Sequence, residues 1–249
     1  MRPLAAGLAL ALLLAGPAAA RCVVGDGAWI TRACYDSPKA GDLYRHNILG
    51  DTPEWSRLVV TLGPKGRTAG RGAALAVSTA RGHLYEDIAP HLADLDGDGR
   101  PEVVTVETDH RRGARLLAVF LDGRSAATAY IGTPRRWLAP IGALDADGDG
   151  RDELAYVETP HLGKILKLVR LDANRLRPVA EAPGLTVHRI GERLIEGRIA
   201  TCDGRPTVLT LNADWTRVMA ASLRQGRLSL QDLGLYAGPG SLADLPGCT

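Results

Sequence analysis

The chain has 249 residues, enough for one large or two small domains. Its formal net charge of +2 argues against a nucleic acid or an anionic membrane as the main partner, because both require a dense basic face. Apolar residues make up 45% of the sequence, and its 29 glycines and 15 prolines are typical of many short strands joined by turns.

The N-terminus has the pattern of a secretory signal peptide. A basic residue precedes an apolar run over residues 4–16, and small residues follow it before a cleavage site. The run is too short to span a bilayer, and a lipid anchor on Cys22 is disfavoured because Arg21 stands where that motif needs a small residue. We predict a signal peptide over residues 1–20, one mature domain over residues 21–249, no transmembrane span, and a periplasmic or secreted location.

Four cysteines lie in the predicted mature chain: Cys22, Cys34, Cys202 and Cys248. An even number in an exported chain indicates two disulfides with three possible pairings, and no pair has the spacing of a zinc site. A bridge joining the two ends of the chain would suit a ring-shaped fold, and this is our hypothesis. The alternative is a pair of local bridges, Cys22–Cys34 and Cys202–Cys248.

The dominant feature of the sequence is an internal repeat. The nonapeptide from Asp94 to Glu102 recurs 51 residues later as the nonapeptide from Asp145 to Glu153. A third, eroded copy keeps only the second half of the motif, around Asp203. A fixed period of this size is typical of propellers and solenoids rather than of a single compact α/β domain.

Between the loops the pattern is that of strands. Short apolar or alternating runs are bounded by Gly, Asp or Pro, as over residues 102–106, 115–120, 154–157 and 164–169. The best helical candidate is the segment 214–224. Short strands at regular spacing indicate a sandwich, barrel or propeller, and the long repeat favours the last. We predict an all-β fold, a small β-propeller of repeats of about 50 residues with calcium-binding loops, five blades being favoured and four possible.

The two intact nonapeptides have the composition of calcium loops. Each carries carboxylates at positions 1, 3, 5 and 9 and glycines at positions 4 and 6. Calcium takes six to eight oxygen ligands in flexible geometry, and alternate residues of a tight loop can aim their side chains at one point. Four carboxylates so close together repel one another without a cation, so we predict Ca²⁺ as the cofactor. An EF-hand is excluded because position 12 is Thr105 or Tyr156 rather than Glu, and a strand follows each loop.

The two loops resemble the D-x-D-G-D-G-x-x-D/E calcium loops of the FG-GAP/VCBS repeat family, found in the N-terminal propellers of integrin α-subunits and in many bacterial exported proteins. The resemblance is best over residues 89–170 and rests on the loops, since no clear Phe-Gly-Gly-Ala-Pro element is present. It implies a β-propeller with calcium between the first two strands of a blade. Carried over by position, the first site comprises Asp94, Asp96, Asp98, the carbonyl of Arg100, and Glu102. The second comprises Asp145, Asp147, Asp149, the carbonyl of Arg151, and Glu153.

No nucleophile elbow or serine triad is recognisable in the sequence. We therefore expect a monomeric binding or structural module for an unidentified protein or glycan partner, rather than an enzyme. The alternative is a periplasmic hydrolase or lyase with its site in the central channel, which such a fold also supports. The calcium is expected to be structural, because four acids and a carbonyl leave few coordination positions open to a ligand.

Three tryptophans occur at about one per repeat region, at Trp55, Trp137 and Trp215. Their spacing indicates packing between blades rather than a ligand groove. Arg135 and Arg136 directly precede Trp137, and together the three form the one basic–aromatic cluster expected to be exposed.

Overall fold

The computed structural model describes residues 21–39, 44, 46–243 and 245–249. The predicted signal peptide lies outside the described residues. Within the described ranges the chain is all-β, as predicted, and no helix there is long and apolar enough to cross a membrane. The strands are β1 Cys22–Val24, β2 Ile30–Pro38, β3 Trp55–Leu62, β4 Ala74–Ser78, β5 His83–Tyr85, β6 His91–Ala93, β7 Glu102–Asp109, β8 Gly113–Val119, β9 Ser125–Ala127, β10 Leu138–Leu144, β11 Glu153–Glu158, β12 Ile165–Asp172, β13 Arg175–Pro183, β14 Leu185–Thr186, β15 Arg198–Cys202, β16 Arg205–Asn212, β17 Arg217–Arg224 and β18 Arg227–Leu235. The helical segments are α1 Pro64–Gly66, which continues as a π-helical turn over Arg67–Arg71, and a 3-10 turn over Pro239–Leu242.

The strands form four antiparallel units of four strands that follow one another along the described chain. Unit 1 is β1 to β4, unit 2 is β6 to β9, unit 3 is β10 to β13, and unit 4 is β15 to β18. Within each unit every strand pairs with the next, which is the simplest path for strands joined by short turns. The repeat length favoured five such units and left four possible, and the described residues form four.

The first strands of units 2, 3 and 4 are neighbours, with β10 lying between β6 and β15. The close approach of β10 and β15 depends on two glycines. A Cβ at Gly142 would lie 2.9 Å from Ile199, and one at Gly197 would lie 3.0 Å from Ile141. Both distances are shorter than an ordinary contact, so the isoleucine of each strand packs onto the bare backbone of the other.

The core lies between the units. The largest cluster of buried apolar side chains joins units 2, 3 and 4, and the β2–β3 connection adds Ile48 and Leu49 to it. A second cluster packs unit 1 against unit 2, and Trp55 and Trp137 are only 1% and 2% exposed. The expected packing role is therefore confirmed for these two tryptophans, whereas Trp215 is half-buried with the Arg189 guanidinium 3.8 Å above its ring.

The disulfides are Cys22–Cys34 and Cys202–Cys248, so the hypothesis of a bridge joining the two ends is wrong. Cys22 and Cys34 are directly opposed on β1 and β2. The C-terminal segment lies beside β15, where Cys248 forms a bridge pair with Cys202. Each end of the described chain is thus fixed to its own unit.

Two further expectations are wrong. The segment 214–224 is not a helix, because residues 217–224 form strand β17, which pairs with β16 and β18 and buries Val218, Ala220 and Ala221. The exposed basic–aromatic cluster does not form either. Trp137 turns inward and its Nε1 donates to the carbonyl of Glu86 at 2.8 Å, while Arg135 remains exposed.

Candidate metal centre

Each acidic loop connects the first and second strands of its unit. The first lies between β6 and β7 and the second between β10 and β11. Both loops begin where the strand ladder ends, since Ala93 pairs with Glu102 and Leu144 pairs with Glu153. The ninth position of each motif is therefore the first residue of a strand and has a fixed direction. The glycines of both loops have positive φ values, from +74° to +83°, as the tight curl requires.

The first aspartate of each motif organises its loop. Asp94 accepts hydrogen bonds from the backbone N–H groups of Gly97, Asp98 and Gly99 at 2.9–3.1 Å. Asp145 accepts the same three bonds in the second loop, at 2.8–3.0 Å. These contacts bend the backbone around one carboxylate, so that the side chains that follow converge beside it.

The carboxylates at positions 5 and 9 also accept backbone bonds. Asp98 accepts from the N–H of Arg100, and Asp149 accepts from that of Arg151. The arginine side chains bond back to the same aspartates, at 3.0 Å in the first loop and 3.4 Å in the second. The ninth-position acids Glu102 and Glu153 each accept from the N–H of the second loop residue, at 2.8 and 2.9 Å.

The two loops bring different carboxylates together. In the first loop Asp94, Asp96 and Glu102 each offer an oxygen, and these oxygens lie within 4.8 Å of one another. In the second loop the corresponding group is Asp145, Asp147 and Asp149. Asp98 is not part of the first group, and Glu153 is not part of the second. Each predicted set of four acids is thus assembled only in part.

The first loop concentrates negative charge around Glu102, and the described arginines beside it, Arg100 and Arg124, are paired with Asp98 and Asp122. Glu102 is 3% exposed, and burial, with the nearby Asp96, Asp94 and Asp98, raises its pKa to about 8. Burial and Asp98 also raise the pKa of Asp96, and its Oδ1 atom is buried without a hydrogen-bond partner. Buried carboxylate oxygens normally have a partner, so the arrangement fits a hard cation held by oxygen ligands.

The second loop contains a side-chain cation. The Nη2 atom of Arg170 lies 2.5 Å from Asp147 Oδ2 and 2.5 Å from Glu153 Oε1. These bonds lower the pKa of Asp147 and raise that of Arg170. Burial raises the pKa of Glu153, and Arg170 opposes that rise. The motif carries no signal for Arg170, because it comes from β12, outside the nonapeptide.

The two loops are in direct contact. The N–H of Asp94 donates to Asp152 Oδ2 at 2.9 Å, and the N–H of Asp152 donates to the carbonyl of Asp94 at 2.9 Å. A Cβ at Gly97 would lie 2.9 Å from the Arg151 side chain. Asp94, the first predicted ligand of one loop, is therefore hydrogen-bonded to Asp152, the eighth residue of the other motif.

The eroded third copy lies at the equivalent place in unit 4, between β15 and β16. Asp203 and Gly204 form a two-residue turn with φ values of +48° and +74°, and Cys202 pairs with Arg205 directly beside it. Positive φ at both turn residues is the geometry of a tight hairpin. This turn keeps the position of the motif and has lost the loop that would surround an ion.

A second polar cluster, which no motif predicts, is built around Glu86. Its Oε1 lies 2.8 Å from His46 Nδ1 and its Oε2 accepts from the hydroxyl of Thr108. Nearby, His161 Nε2 and His188 Nδ1 are 2.9 Å apart, and burial with the charge of His188 lowers the pKa of His161 to about 4. No spacing in the sequence links these residues, which only the fold brings together.

A cavity of about 220 Å³ opens beside Glu86 and is also lined by Lys39 and Glu54. The ammonium of Lys39 donates to the carbonyl of His83 at 2.6 Å, and both oxygens of Glu86 accept hydrogen bonds from neighbouring side chains. The carboxylate of Glu86 is therefore already engaged by the fold.

The chain is similar in part to one family of repeats and to two solved structures. Residues 94–156 match the family model described as an FG-GAP-like repeat, and no curated protein matches the chain. Among solved structures, the rhamnogalacturonan lyase of Bacillus licheniformis is similar, with a TM-score of 0.40 and 15% identity over 89% of this chain and 53% of that one. The rhamnogalacturonan lyase YesW is similar with a TM-score of 0.42 and 16% identity over 90% of this chain and 53% of that one. The chain spans about half the length of these two structures, and the family match covers the two acidic loops and the strands between them.

Proposed function

We propose that the chain is an exported calcium-binding β-propeller that serves as a binding or structural module for a protein or glycan partner. Four successive antiparallel units with neighbouring first strands support a propeller of four blades. Two disulfides are compatible with an oxidising, extracytoplasmic location. The FG-GAP-like match over residues 94–156 supports calcium as the ion of the acidic loops.

The observation that carries the proposal is the convergence of Asp94, Asp96 and Glu102 on one point, with a buried oxygen of Asp96 left without a hydrogen bond. Oxygen ligands from alternate residues suit calcium, which accepts irregular coordination. By position, Asp98 and the carbonyl of Arg100 would complete the set. In the second loop Asp145, Asp147, Asp149, Glu153 and the carbonyl of Arg151 would have the same roles.

Calcium at these loops would act on stability. Each loop joins two strands, and an ion that binds only the folded loop shifts the folding equilibrium toward the native state. At a calcium concentration of about 100 times Kd the gain is about 2.7 kcal/mol. A metal that holds the edge of a unit in this way is structural, and the partner would bind elsewhere on the surface.

The contacts around Glu86 leave that carboxylate without a free oxygen for catalysis. A hydrolase or lyase needs an acid or base that can reach its substrate, and both oxygens of Glu86 are held by His46 and Thr108. The enzyme alternative therefore receives no support from Glu86. A screen of polysaccharides for new reducing ends or unsaturated products would detect such an activity, and a positive result would replace the binding proposal.

The test of the metal proposal is native mass spectrometry and thermal unfolding with and without a chelator. We expect bound calcium that the chelator removes, together with a fall in Tm of about 5–10 °C. Asp94→Asn should lower calcium affinity and Tm, while Asp214→Asn, in an exposed turn of unit 4, should leave both unchanged. Identical metal content and Tm in both conditions would overturn the proposal. Binding to immobilised glycans and peptides would then identify the partner class.

A further inference from the structure

The two acidic loops differ in the residue that lies opposite the ninth position. The paired residues of β7 and β8 end at Val103 opposite Val119, so Glu102 and Phe120 are the next residues along the two strands. The paired residues of β11 and β12 end at Leu154 opposite Val169, so Glu153 and Arg170 are the next residues there. The repeat therefore carries an apolar ring at one site and a permanent positive charge at the other, in equivalent places.

Arg170 occupies the space between the acids of the second loop. Its Nε and Nη2 atoms both lie within 2.9 Å of Glu153 Oε1, and Nη2 also reaches Asp147 Oδ2. Glu153 is fully buried, so this contact is a charge-assisted pair of low solvent exposure, which is stronger than a neutral hydrogen bond. The guanidinium places one positive charge against two of the acids predicted to bind calcium.

In the first loop no described guanidinium is bonded to Glu102, although the charge of Arg124 acts on Asp96 and Glu102. Phe120 is 4% exposed and its ring lies against the guanidinium of Arg124, 4.5 Å away. Arg124 itself is paired with Asp122. Glu102 remains grouped with Asp94 and Asp96, whereas Glu153 is absent from the group formed by the second loop. The difference in grouping follows the difference between Phe120 and Arg170.

We propose that Arg170 is a resident cation that takes the place of calcium in the second loop, so that the chain binds calcium tightly at the first loop and weakly at the second. This inference rests on the proposed calcium binding. Calcium enters the second loop only when Arg170 leaves Glu153 and Asp147, because two positive groups cannot share one small set of carboxylates without repulsion. Breaking a charged hydrogen bond weakens calcium binding at the second loop by about 10- to 100-fold.

The test is calcium titration of the full mature chain by calorimetry, with native mass spectrometry to count bound ions. For the natural chain we expect one tight site, which Asp94→Asn weakens and Asp145→Asn does not. Arg170→Gln removes the resident charge and retains a polar side chain. It should raise calcium affinity at the second loop by about 10-fold or more, so that a second tight ion appears.

A reciprocal variant provides the matched control. Phe120→Arg places a guanidinium across from Glu102, as Arg170 is placed across from Glu153, and should abolish tight binding at the first loop. Phe120→Leu at the same position changes the volume without adding charge and should retain it. Circular dichroism of each variant identifies any that has not folded, and the Arg170→Gln result stands without the Phe120 pair.

The outcomes separate the two proposals. No calcium bound to the natural chain or to Arg170→Gln would overturn the calcium proposal itself. Two equal tight sites in the natural chain, or an unchanged second site in Arg170→Gln, would overturn the role of Arg170 and leave calcium binding intact. A tight ion lost on Asp145→Asn rather than on Asp94→Asn would also overturn it.

Discussion

The terminal units 1 and 4 carry a disulfide on their first strand, whereas the internal units 2 and 3 carry an acidic loop after it. In all four units a turn or loop joins the first and second strands. In unit 1 the disulfide Cys22–Cys34 joins the first two strands, and in unit 4 Cys202–Cys248 joins the first strand to the C-terminal segment. In units 2 and 3 the connection is an acidic loop organised by Asp94 or Asp145.

The difference has a physical reason. Among the four described units, units 1 and 4 each have a neighbouring unit in the chain on one side only. A covalent bridge fixes a strand of such a unit whatever the ion concentration. An internal unit is held by the chain on both sides, and its loop is closed by three hydrogen bonds from backbone N–H groups to the carboxylate of one aspartate.

The turn of unit 1 shows an intermediate form. Asp26 accepts backbone bonds from Ala28, Trp29 and Ile30 at 2.9–3.2 Å, and these bonds lower its pKa against the opposing effect of burial. This is the same use of an aspartate as turn organiser that Asp94 makes. The bridge between Cys22 and Cys34 lies on the strands directly below it, where the internal units have none.

The largest expected effect comes from the C-terminal bridge. Cys202→Ser combined with Cys248→Ser removes a disulfide whose cysteines are 46 residues apart in the chain. The unfolded chain gains loop entropy, which should lower the free energy of unfolding by about 4 kcal/mol. Cys22→Ser combined with Cys34→Ser opens only 12 residues and should lower it by about 3 kcal/mol. Urea unfolding measures both, and a larger loss from the N-terminal pair would contradict the comparison.

The disulfide pairing illustrates where sequence reasoning ends. Spacing alone leaves three pairings open, and the local one follows from register: Cys22 faces Cys34 across two paired strands. The position of the acidic loops and the strand that follows each of them were, by contrast, predictable. Asp and Gly at fixed places dictate a local turn, and the apolar run after Glu102 dictates a strand. Local chemistry was predictable, and partners distant in the chain were not.

Arg170 is the clearest example of a partner that no motif predicts. It lies 17 residues from Glu153 in the chain and meets that acid only because β11 and β12 pair in one particular register. A shift of one residue would turn its side chain to the other face of the sheet. The helix expected over residues 214–224 failed for a related reason, since tertiary pairing with β16 and β18 decides the structure of that segment.

The second effect concerns pH and the metal-free protein. The pKa of Glu102 is raised to about 8 by burial and by the neighbouring acids, above the value of about 4.3 for a free glutamate. The folded state therefore binds a proton that the unfolded chain has lost, and stability falls as pH rises between these two values. Between pH 6 and pH 8 we expect a loss of about 2 kcal/mol in chelator.

Two variants sharpen this prediction. Glu102→Gln cannot ionise, so its free energy of unfolding should fall less over the same pH interval. Glu153→Gln should change the pH dependence less than Glu102→Gln does, because Arg170 already opposes the rise in the pKa of Glu153. Urea unfolding at pH 6, 7 and 8 measures all three proteins, and equal slopes for the natural chain and Glu102→Gln would show that Glu102 is ionised throughout.

The smallest effect should come from Asp152, which joins the two acidic loops. Asp152→Ala leaves the N–H of Asp94 without the acceptor it has at 2.9 Å and should lower the free energy of unfolding by about 1 kcal/mol. Asp172→Ala is the matched control, because Asp172 forms an exposed pair with Arg177 that contributes little.

The effect of Asp152→Ala on calcium distinguishes a coupled pair of loops from two independent ones. Asp152 is not among the acids that converge in either loop, yet it holds the backbone of Asp94, the residue that organises the first. If the contact positions Asp94, calcium affinity at the first loop should fall several-fold although every predicted ligand remains. An affinity equal to that of the natural chain would mean that the first loop keeps its shape alone, and that the two internal units are tied independently, as the two terminal ones are.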